Sequence, residues 1–85
     1  MVKITVGIEG MAYGMCEAHI NEAVRNAFQV KKVTSSHAKK QTVIIAEKEI
    51  PEQELKNMVA KAGYSVVSVI SEPYEKNGLF GLFRQ

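Results

Sequence analysis

Of the chain's 85 residues one is cysteine, two are proline and none is tryptophan. A single thiol excludes a disulfide within the chain and fits a reducing compartment. Neither sign of charge dominates. Eleven Lys and Arg against nine Asp and Glu leave a net charge of +2, spread along the sequence. Nucleic-acid binding needs a concentrated cationic face, so no such partner is expected. No apolar stretch approaches the roughly 20 residues that span a bilayer. The opening "MVKITVGIEG" alternates instead of forming the apolar block of a signal peptide. A cytoplasmic protein without a membrane span is the expectation.

What is present is an ordinary folded composition, 46% apolar and 24% charged. A chain of this length buries only about 60–65% of its unfolded surface, which allows one small core. Val2, Ile4, Val6 and Ile8 alternate with Lys3, Thr5 and Glu9, the period of a half-buried strand, and Gly10 ends it. From Met15 to Phe28 the period lengthens. Cys16, Ile20, Ala23, Val24 and Ala27 draw one apolar stripe, with Asn21, Glu22, Arg25 and Asn26 on the solvated side of a helix. "VKKVTSSHA" and "TVIIAE", separated by "KKQ", read as an antiparallel hairpin. "IPEQELKNMVAKAG" is a second helix: Pro51, Glu52 and Glu54 suit its first turn. Leu55, Met58, Val59 and Ala62 form its buried stripe, Lys61 lies in its last turn, and Gly63 suits a left-handed cap. "YSVVSVI" closes as a strand.

The order β-α-β-β-α-β predicts an α+β, ferredoxin-like sandwich: a four-stranded antiparallel sheet with two helices on one face. Residues 1–71 are expected to form the domain and 72–85 a tail, flexible or docking. The tail's "GLFGLFRQ" carries Leu79, Phe80, Leu82 and Phe83. It reads either as a frayed or folded-back end or as a docking segment. Lys31, Lys32, Lys39 and Lys40 flank the hairpin as a solvated rim.

The stretch "IEGMAYGMCEAHINEAV" resembles the loop and first helix of heavy-metal-associated domains, which include small copper chaperones and the amino-terminal modules of metal-transporting ATPases. Their pattern is Gly-Met-x-Cys-x-x-Cys followed by a helix. Gly10, Met11, Cys16, Ile20 and Val24 fit that register. "KAGYSV" resembles the family's second loop, with Gly63-Tyr64 facing the metal site, and the resemblance covers about residues 2 to 70. It implies Cu(I) or another soft metal as cargo, and a metal-transporting ATPase or another metal-binding domain as partner.

The departure falls on the first ligand. Tyr13 stands where the first cysteine would be, so Cys16 alone matches a ligand position. In the family, the methionine matched by Met11 usually packs inward. Cu(I) prefers thiolate or thioether sulfur, and a phenol is a hard oxygen that keeps its proton to a pH near 10. Cys16 begins a helix, where the dipole favours thiolate and makes it a plausible ligand or nucleophile. Met15 beside it and His19 one turn on are candidate second donors, each weighed against a solvated side chain. His37, on a predicted strand, reads as structural or exposed, and Tyr64 as packing beneath the loop. The alternative rescue is intermolecular: two chains each give one Cys16, or join through it as a disulfide homodimer. No paired carboxylates, Cys-His dyad or phosphate-cradling loop points to an enzyme. The central strands carry Val, Ile and Thr rather than the aromatics that stack RNA bases. The expected function is metal binding and transfer at a one-cysteine site. A metal-free interaction module retaining the fold is the rival reading.

Overall fold

The computed structural model describes residues 1–74. Its elements are β1 (Val2–Glu9), α1 (Gly14–Ala27), β2 (Lys32–Ser36), β3 (Gln41–Ala46), α2 (Glu52–Lys61) and β4 (Ser65–Pro73). The strands form one antiparallel sheet in the order β2-β3-β1-β4. This is the ferredoxin-like arrangement read from the element order.

Alternation on β1 decides which face is covered. Ile4, Val6 and Ile8 are each 1% exposed and join Ile44 of β3, Ile20 and Val24 of α1, and Leu55 and Val59 of α2 in one core. Both helices therefore lie on the same face. Each such side chain contributes roughly 1.5–3 kcal/mol relative to leaving it in water. Ile45 faces the opposite side in register with Lys3 and Lys32. It is buried yet lies outside that cluster, which fits long lysine stems lying over it.

Three details differ from the reading of the sequence. Ala27 is exposed, so the buried stripe of α1 stops at Val24. Asn21 is not simply solvated: Ser35 Oγ donates to its Oδ1 at 2.6 Å, and Thr42 Oγ1 lies 2.8 Å from the same hydroxyl. With its one proton committed to Asn21, Ser35 accepts from Thr42. This buried relay ties α1 to the hairpin. Finally, β4 continues through Pro73, paired with Val2, and Tyr74 N–H still donates to Met1 O at 3.0 Å. A proline is tolerated there because β4 is an edge strand. Residues 72 and 73, assigned to the tail, thus lie in the sheet, whereas the Leu79–Phe83 segment lies outside the described residues.

Register sends three connections to one end of the sheet. β1 ends at Glu9, the β2–β3 turn spans 37–40, and the α2–β4 turn spans 62–64. Ile8 N–H donates to Lys40 O at 2.8 Å, and Lys40 takes a left-handed φ of 56° to close its turn. The start of α1 emerges among these three connections.

Candidate metal centre

Gly10 shapes the entrance to the α1 loop. Its φ is +105°, and a Cβ there would stand 3.1 Å from Cδ1 of Tyr64. Both the backbone and the neighbouring ring require glycine. Met11, next along, is 4% exposed and belongs to the core. It offers no open sulfur. The chain then rises to the surface: Tyr13 is 71% exposed and Met15 78%. Tyr13 occupies the N-cap position with extended backbone and makes no side-chain cap.

Cys16 is half-buried, in the first turn of α1, and its N–H donates to Tyr13 O at 3.0 Å. Its thiol pKa is lowered. The largest cause is the Tyr64 hydroxyl, which favours the thiolate by hydrogen bonding. The backbone of Tyr13 and Ala12 adds to this, partial burial opposes it, and charge on His37 assists weakly. The same hydrogen bond raises the Tyr64 pKa, because the hydroxyl must keep its proton to donate it, and burial and the charge of the thiolate add to this. A thiol so biased, open at a helix start, is the form that binds soft ions and reacts as a nucleophile.

Tyr64 is thus the hub of this end. One face of its ring lies against Gly10, its hydroxyl turns to Cys16, and its ring meets His19 edge to face at a centroid distance of 6.1 Å. His19 itself is exposed, on the α2 side of Tyr64.

On the other side of Cys16 lies a pair that the sequence did not announce. Glu17 Oε2 accepts from His37 N–H at 2.8 Å and from His37 Nδ1 at 2.6 Å. These two bonds hold the Glu17 pKa below the usual carboxylate range. The reading of His37 as a strand residue gives way here: β2 ends at Ser36, and His37 opens the turn. Twenty residues separate the partners, and no local spacing rule reaches that far.

Cys16 with its immediate surroundings therefore supplies one soft donor. Among the described residues no group of three His, Cys, Asp or Glu side chains converges to hold a metal ion. Tyr13 contributes a phenol, a hard oxygen that does not suit a soft cation. Two hollows lie elsewhere among the described residues. One of about 560 Å³ runs between the helices over Ala23, Phe28 and Met58, and another of about 750 Å³ lies near Val30 and Ile50. Neither is lined by Cys16. No helix among the described residues is long and apolar enough to cross a membrane.

The fold and the half-buried thiol at its loop define a ferredoxin-like domain with a lone cysteine at one end of its sheet. No protein-family model matches the chain, and no curated protein sequence does. Solved structures do. A copper-binding domain from HMA7, a P-type ATPase, superposes with a TM-score of 0.70 at 22% identity, over 81% of this chain and 97% of that one. The N-terminal domain of PacS from Synechocystis PCC6803 gives 0.67 at 26%, over 80% and 96%. The N-terminal domain of ZntA in its apo form gives 0.67 at 25%, over 85% and 93%. The chain shares their architecture over nearly their whole length.

Proposed function

We propose that this chain is a heavy-metal-associated domain by descent, a non-enzymatic binder that accepts and passes on a soft metal ion, Cu(I) first among them, through the single thiol of Cys16. The observation that carries the reading is the open thiol at the start of α1, its pKa depressed by Tyr64 and by the loop backbone. The copper-binding domain from HMA7 among its structural neighbours supports it. One thiolate binds a soft cation without enclosing it. A thiolate from a partner then enters the open coordination position, the ion passes through a shared intermediate, and Cys16 is released. The partner is a metal-transporting ATPase or another metal-binding domain. A second copy of this chain is the other candidate, two Cys16 thiolates making a linear site and, on oxidation, a disulfide.

A second reading has its own support. Tyr13 cannot replace a thiolate, and no three-ligand group exists among the described residues, so the fold could serve as a metal-free interaction module. One experiment separates the two. Cu(I) is titrated anaerobically against a competing chelator, with gel filtration of each mixture. Retention that disappears in Cys16→Ser supports metal binding, and one ion per two chains with dimerisation supports the shared site. No retention by the wild-type chain leaves the metal-free module.

A further inference from the structure

We propose that His37 is the second donor of this site, held ready for metal by Glu17; the proposal rests on the reading of Cys16 as a soft-metal ligand. A carboxylate oxygen can only accept, so the proton between Glu17 Oε2 and His37 Nδ1, 2.6 Å apart, belongs to Nδ1. Whenever the ring is neutral, Nε2 then carries the lone pair. This is the arrangement in which metal-binding histidines are set, one ring nitrogen donating to a carboxylate and the other left to ligate.

The rest of the geometry agrees. The backbone N–H of His37 bonds the same carboxylate oxygen at 2.8 Å, which fixes ring and main chain together and leaves Nε2 on the side away from Glu17. Glu17 directly follows Cys16 in the first turn of α1, and the relay from Asn21 to Ser35 pins the same helix to the same hairpin one turn later. The hairpin turn and the thiol therefore keep a fixed relation. The hairpin turn that carries His37 and the start of α1 lie at the same end of the sheet, and the His37 side chain is 41% exposed, so an ion can reach it. The competing donors lack such support. Met15 is 78% exposed and nothing holds its thioether, and His19 lies edge-on to Tyr64 on the opposite flank. A thiolate and an imidazole suit Cu(I) and Zn(II) alike. Two donors leave coordination open on the solvent side, where an incoming partner thiolate would enter.

The test uses the full chain and Cu(I), which is diamagnetic. Long-range ¹H–¹⁵N spectra of the free protein should show His37 as the Nδ1–H tautomer. One equivalent of Cu(I) should move His37 Nε2 and the Cys16 Cβ while leaving His19 in place. Glu17→Gln should weaken Cu(I) binding by about 10–100-fold, the usual effect of removing such a supporting carboxylate. His37→Ala should weaken it at least as much, while Met15→Ala and His19→Ala leave it unchanged. A shift at Cys16 with His37 unmoved would overturn the proposal and leave the one-thiol function standing. No shift at Cys16 would overturn both. The wild-type spectra decide the matter even if a variant folds poorly.

Discussion

The two helices of this domain begin without side-chain caps, yet their first turns do different things. At α2, Pro51 leads into Glu52 and Glu54, two exposed carboxylates that meet the positive end of the helix dipole. Glu52 also bonds Lys56 one turn on, at 3.0 Å. Beneath them Leu55 is fully buried. At α1 the one acidic residue of the first turn, Glu17, is drawn sideways to the hairpin by His37. The end of α1 is left facing a thiol instead of a carboxylate. That partial charge is met by two carboxylates at α2, whereas the first turn of α1 holds the Cys16 thiol.

The largest way to change that contrast is to give α1 a second thiol. Tyr13 is three residues before Cys16, and its carbonyl already receives the Cys16 N–H, so a side chain at position 13 starts beside the site. In Tyr13→Cys both thiolates belong to one chain, and the second binds at an effective concentration set by a three-residue span. The expected gain in Cu(I) affinity is roughly 10²–10⁴-fold, with one ion per chain by chelator competition. A gain of only a few-fold would mean that the loop does not bring positions 13 and 16 to one ion.

The reverse change belongs to α2, whose first turns bear on the fold. Leu55→Ala removes a side chain with no exposed surface and should cost about 2–5 kcal/mol by urea unfolding. Met15→Ala, in the first turn of α1, should leave unfolding unchanged because Met15 is mostly in water. Equal costs at the two positions would refute the division of labour between the helix starts.

A subtler change keeps the ring of Tyr64 and removes its hydroxyl. Tyr64→Phe retains packing on Gly10 and His19, and stability should hardly alter. The Cys16 pKa is depressed chiefly by that hydroxyl, so the thiolate is favoured at pH values below the ordinary thiol range. In the variant, the iodoacetamide rate profile should shift to higher pH, and Cys16 should react more slowly near neutrality. An unmoved profile would assign the depression to the loop backbone instead.

Most of the architecture could be read from spacing, because each element's period reports its own burial. Ile4, Val6 and Ile8 on β1, and Leu55, Met58 and Val59 on α2, are buried where alternation and the helical stripe put them. Gly63, at φ +97°, takes the left-handed turn that its place after Lys61 required. What the sequence hid depends on pairings between distant segments. Asn21 looks solvated until Ser35 is brought beside it by β2, and the bond between Glu17 and His37 exists only once the hairpin turn delivers the ring. Pro73 looks like a terminator because its tolerance follows from β4 being an edge, a property of sheet order. The place of Cys16 at a helix start was therefore legible, because it is a local feature, and the pairing of His37 with Glu17 was not.

The smallest effect tests the other half of the opening contrast. Glu52 and Lys56 are both well exposed, so their bond is screened by water and salt, and the dipole term is shared with Glu54. Glu52→Gln should cost about 0.3–0.5 kcal/mol at low salt, as an exposed pair four residues apart does. The loss should fade as ionic strength rises, in urea unfolding at two salt concentrations. The same substitution at Glu17 removes bonds of a different kind, from a fixed backbone N–H and an imidazole at a hairpin turn. Its effect should therefore persist in salt and appear in the amide exchange of the first turn of α1. If both substitutions fade together, Glu17 is an ordinary surface carboxylate, and the first turn of α1 is not anchored through it.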